Sequence, residues 1–541
     1  MSEKTKWAIA DCVIFGVILA FSAWLMWHTF QYKNGEILPS SKVWSDFQAH
    51  IPLIRSFSLG DNFPPEYPLF PGEKIRYHFL FYLLVGLLEK SGVRLDWALN
   101  LPSTLGFAWF LVMIYLLGKD LTKNRTVGIM AVILYVFNGS LSFIKYFTDQ
   151  GWSWLAIKKI FTLTDFPSFA PYGAGIVSAF WNWNIFVNQR HLALAYALCL
   201  TGVYLIWKEG LTWKKEVFKT IGLVIILVVL SWLHKAVFLM STVIYTVLVM
   251  TNLRKSVWSF MGLGMGVILS IPAVLYMSPH AGQEIAVRMG YLSDGTWRGF
   301  VWWWFMNMGL ILPGAVVGFL AGNKSLKRLF VAFVPLFIMG NTLTFSPDIA
   351  ANHKFFNLFV VVCVLLIANL LIQLWEKNWW GKALAILIFP ILILSGVIDA
   401  FPIINESYYR IADRNSLAKN WIAANTPKDA VFLNSTFFDN PATLAGRKIY
   451  FGWPYFLSSM GYELYAREKL WRKMWMGENF CALTSSERIN YLIFDLRKPT
   501  PDEPEINQQF FQNYTNSIFE VGEGYKIVKI SDLCPFGQRP M

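Results

Sequence analysis

A carboxylate and an imidazole stand four residues apart in the first polar stretch of the chain. Asp46 and His50 would share one face of a helix, because residues at i and i+4 are neighbours on a helical surface. Ser45, followed three residues later by Gln48, predicts a capping box that begins this helix and puts Asp46 in its first turn. The backbone N–H groups there favour the ionised carboxylate, as a general base requires. A capped helix at a membrane interface, without chemistry, explains the same residues as well.

Basic and imidazole side chains recur at the ends of apolar segments along the rest of the chain. Arginine forms a bidentate clamp on phosphate, while lysine and histidine add a point charge or a proton. Together with a carboxylate, such groups suit a substrate that carries a phosphate on a lipid anchor. Any one of them alone is explained equally by an interfacial anchor whose charged end reaches toward water. The candidates for substrate binding are His50, Arg76, His78, Arg190, His191, His234, Lys235, His353 and Lys354.

Composition places these groups in a membrane protein. Of the 541 residues, 55% are hydrophobic and 15% are charged, whereas soluble domains carry about 25% charged residues. The net charge of +13 is explained by basic residues that flank membrane spans, so nucleic acid is not expected as a partner. The sequence has no Walker-type phosphate loop and no HExxH or GxSxG motif. ATP-driven transport and zinc proteolysis therefore have no support.

The apolar segments predict an α-helical polytopic protein with about eleven spans, because a span needs roughly 20 apolar residues. Residues 77–90 are apolar but too short to cross, and we expect an embedded or interfacial helix there. With this segment not crossing, each short loop assigned to the inner side is basic, as the positive-inside rule requires. We therefore expect a plasma or inner membrane protein with a cytoplasmic N-terminus. The expected spans lie near residues 7–28, 97–118, 126–147, 190–207, 217–233, 236–252, 257–278, 300–320, 327–345, 355–374 and 380–398.

Polar chemistry is predicted to concentrate on the outer side of this membrane module, residues 1–398. Its long outer loops are expected at 29–96 and 148–189, and all seven histidines fall in outer loops or at the outer ends of spans. Residues 399–541 are more polar and predict an extracytoplasmic α/β domain. The elements expected in that domain are a helix at 416–424 and strands at 430–433, 491–494 and 525–530. Cys481 and Cys534 either pair in this oxidising space or remain two free thiols.

This layout resembles the GT-C superfamily of membrane glycosyltransferases, which use polyprenyl-phosphate-linked sugars. Three features carry the resemblance: Asp46 at the start of a helix in the first outer loop, the aromatic segment 77–90 followed by Asn-Leu-Pro-Ser at 100–103, and the α/β domain after the last span. The surroundings of Tyr77 are also similar to a Tyr-rich signature of uncharacterised multipass proteins. Many relatives have an Asp-Glu pair in the first loop, whereas Asp46 is followed by Phe47.

The resemblance implies an inverting glycosyltransferase. It would pass a sugar from a polyprenyl-phosphate donor to a glycan, glycolipid or protein at the outer face, among membrane lipids. Asp46 corresponds to the catalytic acidic residue of the superfamily, the base that deprotonates the acceptor. Metal dependence varies across the superfamily, so no cofactor is fixed and a divalent metal ion stays open. Two alternatives remain, a transporter or flippase of polyprenyl-linked lipids and a polymerase or ligase of surface glycans.

A cavity at the outer face is the structural expectation that follows from this function. Segments distant in sequence each bring ionisable groups to the same predicted depth on the same side. Isolated interfacial anchors would instead spread around the perimeter. The residues expected to line the cavity are Asp46, Arg190, His191, His353 and Lys354.

Overall fold

The chain forms two compact units, each assembled from separate stretches. The first, the helical unit, comprises Met1–Thr29, Asn100–Leu275 and Glu284–Ser407. The second, the mixed unit, comprises Phe30–Leu99, Tyr276–Gln283 and Tyr408–Met541. The computed structural model describes residues 3–168, 175–208, 213–251, 257–278, 286–346, 348–495, 502–512, 519–521 and 524–534.

The helical unit consists almost entirely of α-helices. Two short 3₁₀-helices, Ser178–Phe180 and Ile349–Asn352, interrupt them, and the strands Ala286–Val287 and Leu343–Thr344 pair antiparallel. The helices are Glu3–Thr29, Leu95–Thr122 from Asn100 onward, Arg125–Val136, Ser142–Gln150, Trp154–Ile160, Ile185–Asn188, Arg190–Trp207, Trp213–Leu233, Lys235–Met250, Val257–Tyr276 up to Leu275, Trp297–Met308, Ile311–Ala321, Lys324–Thr342, His353–Lys377 and Trp379–Ile404.

The helix His353–Lys377 forms the core of this unit. Its sequence is apolar on all sides, which predicts a helix buried by other helices. Four helices pack against it: Arg125–Val136, Ile311–Ala321, Lys324–Thr342 and Trp379–Ile404. His353 and Lys354, at its N-terminal end, are therefore positioned by the best-packed element of the unit.

Seven of the described helices are long and apolar enough to cross a membrane, or eight if one bent pair is counted as a single span. The chain is therefore an integral membrane protein of mostly helical structure. The expected spans at 126–147, 236–252, 300–320 and 327–345 correspond to helices that are shorter, broken or more polar. The count of eleven and the orientation in the membrane stay predictions.

Two of these expected spans are broken at residues that can be identified. Between Arg125–Val136 and Ser142–Gln150, the side-chain amide of Asn138 donates to the carbonyl of Trp181 at 2.8 Å. Between Trp297–Met308 and Ile311–Ala321, which bend by 83°, Gly309 has φ 49°. Positive φ is accessible to glycine at little steric cost. A hydropathy pattern sees only the apolar run and misses both breaks.

The mixed unit contains the helix Trp44–Ser58, a five-stranded sheet and a smaller three-stranded sheet. In the larger sheet the strand order is Lys448–Ile449, Val431–Asn434, Tyr491–Asp495, Tyr525–Lys529 and Phe519–Val521. Its first three strands are parallel, and the other two pair antiparallel. The smaller sheet joins Phe30–Lys33, Glu36–Pro39 and Ile411–Ala412. The remaining helices are Leu80–Lys90, Leu417–Asn425, Pro441–Leu444, Pro454–Ser459, Tyr465–Trp475, Phe480–Ser486, Gln508–Gln512 and Ile530–Leu533.

The helix and three strands predicted between residues 416 and 530 lie within one residue of their expected bounds. Apolar strands bounded by turn residues and a capped helix are local signals, so the sequence alone was sufficient. Cys481 and Cys534 form a disulfide. The domain boundary at residue 398 stays a prediction. In the structure, residues 30–99 belong to the same compact unit as the C-terminal segment.

A backbone contact between two glycines joins the first and last segments of the mixed unit. A Cβ at Gly446, which has φ 78°, would lie 2.5 Å from the backbone nitrogen of Gly60 and 2.7 Å from the carbonyl oxygen of Arg55. Only a residue without a side chain permits this approach. The neighbouring Arg447 is buried and donates to the carbonyls of Ala445 and Thr426. These contacts fix the C-terminal end of the helix Trp44–Ser58 inside the unit.

Candidate functional site

The helix Trp44–Ser58, called the Asp46 helix below, begins without a side-chain cap. Its N-cap residue is Val43, so the predicted capping box of Ser45 and Gln48 is wrong. Gln48 is instead hydrogen-bonded to Asp439. The side-chain N–H of Gln48 donates to the Asp439 carboxylate at 2.6 Å, and the side-chain oxygen of Gln48 accepts from the backbone N–H of Asp439 at 2.9 Å. The predicted place of Asp46 in the first turn is confirmed. Its carboxylate thus lies near the backbone N–H groups of the helix start, which favour the charged form.

Two tyrosines lie within electrostatic range of the Asp46 carboxylate. Burial, and then the negative charge of Asp46, raise the pKa of Tyr77 above its usual range. The same two causes, with Tyr77 itself, raise the pKa of Tyr82. The hydroxyls of the two tyrosines are hydrogen-bonded to each other. Both phenols therefore remain protonated at neutral pH beside a carboxylate, as donors and never as competing bases.

Two histidines predicted as binding residues complete this group. The ring of His50 is buried and stacks on Tyr82 with centroids 4.6 Å apart. His78 is also buried, and its ring centroid lies 3.6 Å from that of Tyr77. We call these four residues, together with Asp46, the Asp46 cluster. Sequence reasoning did not single out Tyr82, although the aromatic run that leads into the short helix Leu80–Lys90 pointed to this stretch.

Arg76 lies in the mixed unit with its guanidinium engaged by protein groups. It is buried, pairs with the Glu73 carboxylate at 3.1 Å and lies 5.3 Å from the ring centroid of Tyr462. Its backbone N–H donates to the Tyr462 hydroxyl at 3.0 Å. These contacts fix the turn that leads to Tyr77 and His78. A role of Arg76 in substrate binding stays a prediction.

The helical unit brings together most of the other predicted binding residues. His191 and His234 are buried, and their rings stack with centroids 5.2 Å apart. His234 caps the helix Lys235–Met250, since its Nδ1 accepts from the backbone N–H of Val237 at 3.4 Å. The charges of Lys354 and Lys235 act on the His234 ring.

His353 extends this group from the central helix. Its Nε2 lies 3.3 Å from the side-chain nitrogen of Gln189, and its Nδ1 lies 3.1 Å from Oδ1 of Asn357. Both ring nitrogens of His353 are thus engaged by side-chain amides, and the ring lies within electrostatic range of the Lys354 ammonium group. We call His191, His234, Lys235, His353 and Lys354 the His-Lys cluster.

Arg190 has a different environment from the one expected for an interfacial anchor. It is buried and donates to the carbonyl of Met26 at 3.2 Å, to Oγ1 of Thr29 at 2.9 Å and to Oδ1 of Asn100 at 2.6 Å. One guanidinium therefore links three helices, because its planar donors reach several acceptors at once. The contacts of Arg190 in the structure hold helices together. Binding of substrate by Arg190 stays a prediction.

Arg190→Lys is expected to lower the stability of the protein by about 1–3 kcal/mol, because a lysine cannot satisfy all of these buried acceptors. Thermal unfolding of the purified protein in detergent measures the loss. Arg298→Lys is the matched control, since Arg298 is an exposed residue of the same unit. Equal melting temperatures for the two variants would contradict a structural role of Arg190.

The structure thus assembles most of the predicted residues into two local groups, and Arg76 and Arg190 belong to neither. His191, His353 and Lys354 lie together in the helical unit with His234, which was predicted separately. Asp46 belongs to the mixed unit, and its place in one cavity with these residues stays a prediction. Of the seven histidines, His280 lies outside the described residues.

The comparisons with known proteins concern structure alone, because no protein-family model and no curated protein matches the sequence. The fold is similar to that of ArnT from Cupriavidus metallidurans, at 10% identity and a TM-score of 0.49, over 98% of each chain. It is also similar to the oligosaccharyltransferase AglB from Archaeoglobus fulgidus, solved with an inhibitory peptide and a dolichol-phosphate. That similarity covers 91% of this chain and 70% of AglB, at 12% identity and a TM-score of 0.45. Both are GT-C superfamily membrane glycosyltransferases.

Proposed function

We propose that this protein is an inverting glycosyltransferase that takes a sugar from a polyprenyl-phosphate donor and passes it to a glycan, glycolipid or protein at the outer membrane face. The observation that carries the proposal is the Asp46 cluster. It holds a carboxylate in the first turn of a helix, within electrostatic range of two protonated tyrosines whose rings contact buried imidazoles. An integral membrane protein with such a group suits a substrate that is anchored in the bilayer.

Asp46 is the group assigned to the acceptor. The ionised carboxylate removes the proton from the attacking hydroxyl or amide as the acceptor bonds to the anomeric carbon. The bond between that carbon and the phosphate oxygen breaks, and polyprenyl phosphate leaves with the electron pair. Attack opposite the leaving group inverts the anomeric configuration. Protonated Tyr77 and Tyr82, whose pKa values the charge of Asp46 raises, are assigned as hydrogen-bond donors that orient the base.

The His-Lys cluster is the group assigned to the phosphate. Positive charge at a site that excludes water stabilises the charge that develops on the leaving oxygen. Lys354 and Lys235 supply that charge, and His353, held by the side-chain amides of Gln189 and Asn357, supplies a hydrogen-bonding ring nitrogen. Fixed donors of this kind need no rearrangement during the reaction.

Release of polyprenyl phosphate separates this function from transport. Purified protein in liposomes that contain a polyprenyl-phosphate sugar and a soluble sugar acceptor should form free polyprenyl phosphate and an extended acceptor in equal amounts. A flippase would instead move the intact donor between leaflets without consuming it. Transbilayer movement with no polyprenyl phosphate formed, across a panel of sugars and acceptors, would overturn the proposal.

Lys354→Met is expected to raise the KM for the polyprenyl-phosphate donor about tenfold. A hydrogen bond to a charged group typically contributes about 1.5 kcal/mol or more, and about 1.4 kcal/mol corresponds to a factor of ten in affinity. Steady-state kinetics at saturating acceptor measures the change. The matched control is Lys324→Met, which removes an exposed lysine of the same unit. An unchanged donor KM in Lys354→Met would remove this lysine from the phosphate site.

A further inference from the structure

Asp439 has a backbone conformation that few residues other than glycine adopt. It lies between the strand Val431–Asn434 and the helix Pro441–Leu444, with φ 51°. The left-handed region costs an L-residue on the order of 1 kcal/mol, with Asp and Asn the most tolerant. A residue stays in this conformation when its surroundings stabilise it, so its contacts indicate why the conformation is kept.

Asp439 makes two hydrogen bonds with Gln48, besides the one that its carbonyl oxygen accepts from the Tyr525 hydroxyl at 3.4 Å. The Gln48 amide donates to one carboxylate oxygen at 2.6 Å, and the backbone N–H of Asp439 donates to the Gln48 carbonyl oxygen at 2.9 Å. The hydroxyl of Tyr409 donates to the other carboxylate oxygen. Gln48 is buried, with 5% of its surface exposed. Both ends of the amide are therefore fixed by one residue, and the carboxylate that fixes them is itself fixed by Tyr409.

Gln48 lies two residues after Asp46 in a helix whose N-cap residue, Val43, makes no side-chain cap. A helix start without a cap leaves backbone donors unsatisfied and tends to fray. A tertiary bond in the first turn takes the place of the missing cap. Because Gln48 is held from both ends, it fixes the rotation of this turn about the helix axis, and with it the direction in which the Asp46 side chain points.

We propose that Asp439 is a positioning residue for Asp46, acting through Gln48. The inference rests on the proposed function, since it concerns the base of the proposed transfer. Asp439 does not touch the reacting atoms in this account. The left-handed backbone of Asp439 places its N–H and its carboxylate where the side chain of Gln48 forms hydrogen bonds with both.

Loss of this contact should lower kcat and leave the donor KM unchanged. A displacement of the base by about 1 Å costs on the order of 10²-fold, so we expect kcat to fall about 10- to 100-fold in Asp439→Ala and in Gln48→Met. Asp439→Asn should retain most of the activity, because asparagine tolerates positive φ and keeps an oxygen for the Gln48 amide. Asp429→Ala, at an exposed aspartate of the same unit, should be unchanged.

A double-mutant cycle tests whether the effect travels through the contact. The double variant Asp439→Ala with Gln48→Met should be no slower than either single variant, since both remove the same interaction. In the Asp46→Asn background, Asp439→Ala should cause no further loss of residual turnover. Additive losses, or a loss that persists without the Asp46 carboxylate, would show that Asp439 acts only on stability and would overturn the inference.

The outcomes also separate this inference from the function beneath it. If the wild-type protein forms no polyprenyl phosphate with any donor, the proposed function fails. If the wild-type protein transfers sugar and Asp46→Asn abolishes transfer while Asp439→Ala and Gln48→Met leave kcat unchanged, the function stands and only the positioning role is wrong.

Discussion

Asp46→Asn is expected to lower the rate of sugar transfer by about 10²- to 10⁴-fold, the usual loss when a general base is removed. The amide keeps the shape of the side chain and its place in the first turn of the Asp46 helix. It cannot take up the acceptor proton at neutral pH. Binding of the polyprenyl-phosphate donor should remain largely intact, because the phosphate is assigned to other residues. Turnover and donor binding are measured separately on the reconstituted protein.

Asp61→Asn is the matched control for this prediction. Asp61 is an exposed aspartate of the same unit, so the substitution makes the same chemical change outside the Asp46 cluster. Its turnover should equal that of the wild type. Unchanged turnover in Asp46→Asn would remove this carboxylate from the mechanism.

Arg55→Met should destabilise the mixed unit by about 3–5 kcal/mol, the usual result of removing one partner from a buried ion pair. Arg55 lies near the end of the Asp46 helix and is buried. It pairs with Glu89 at 3.4 Å and with Asp413 at 3.2 Å. Methionine fills a similar volume but leaves these two carboxylates without their shared cation. Unfolding in detergent, followed by tryptophan fluorescence against denaturant concentration, measures the change.

An exposed arginine of the same unit provides the control for Arg55. Arg410 lies 3.6 Å from Glu36 and its side chain is 77% exposed, so solvent screens the pair and Arg410→Met should cost little. If the two arginine variants unfold at the same denaturant concentration, the buried network does not stabilise the unit.

The Arg55 network also predicts a pH dependence. Burial by itself would raise the pKa of Asp413, but the charges of Arg55 and Lys419 outweigh it and hold the pKa below the ordinary value of 3.8. A group with a lowered folded pKa stabilises the protein above its unfolded pKa and loses that contribution as pH falls through the folded value. The stability difference between wild type and Arg55→Met should therefore be constant near neutral pH and shrink below about pH 4.

Local patterns predicted what depends on neighbouring residues. The position of Asp46 in the first turn, the short apolar helix after Tyr77, and the elements between residues 416 and 530 all follow from apolar periodicity and turn residues. Several long apolar helices follow from hydropathy in the same way. These features need no knowledge of distant contacts, because each is stabilised mainly within its own segment.

Partners distant in sequence decided the rest. The pattern of Ser45 and Gln48 fits a capping box, yet Gln48 bonds Asp439, 391 residues further along the chain. Arg190 fits an interfacial anchor, yet the guanidinium lies among acceptors on two other helices. A polar side chain can form a hydrogen bond with a local group or with a distant one. Only the packed chain shows which partner is within reach.

The amino-acid sequence by itself determined that this is a helical membrane protein and that a carboxylate opens the Asp46 helix, because hydrophobicity and helix position are properties of contiguous residues. The tertiary structure alone decided which side chains surround that carboxylate. Tyr82, from the helix Leu80–Lys90, and Tyr77, from the turn before it, lie within electrostatic range of the carboxylate, and His50 stacks on Tyr82. The direction of each ring depends on packing that no periodicity encodes.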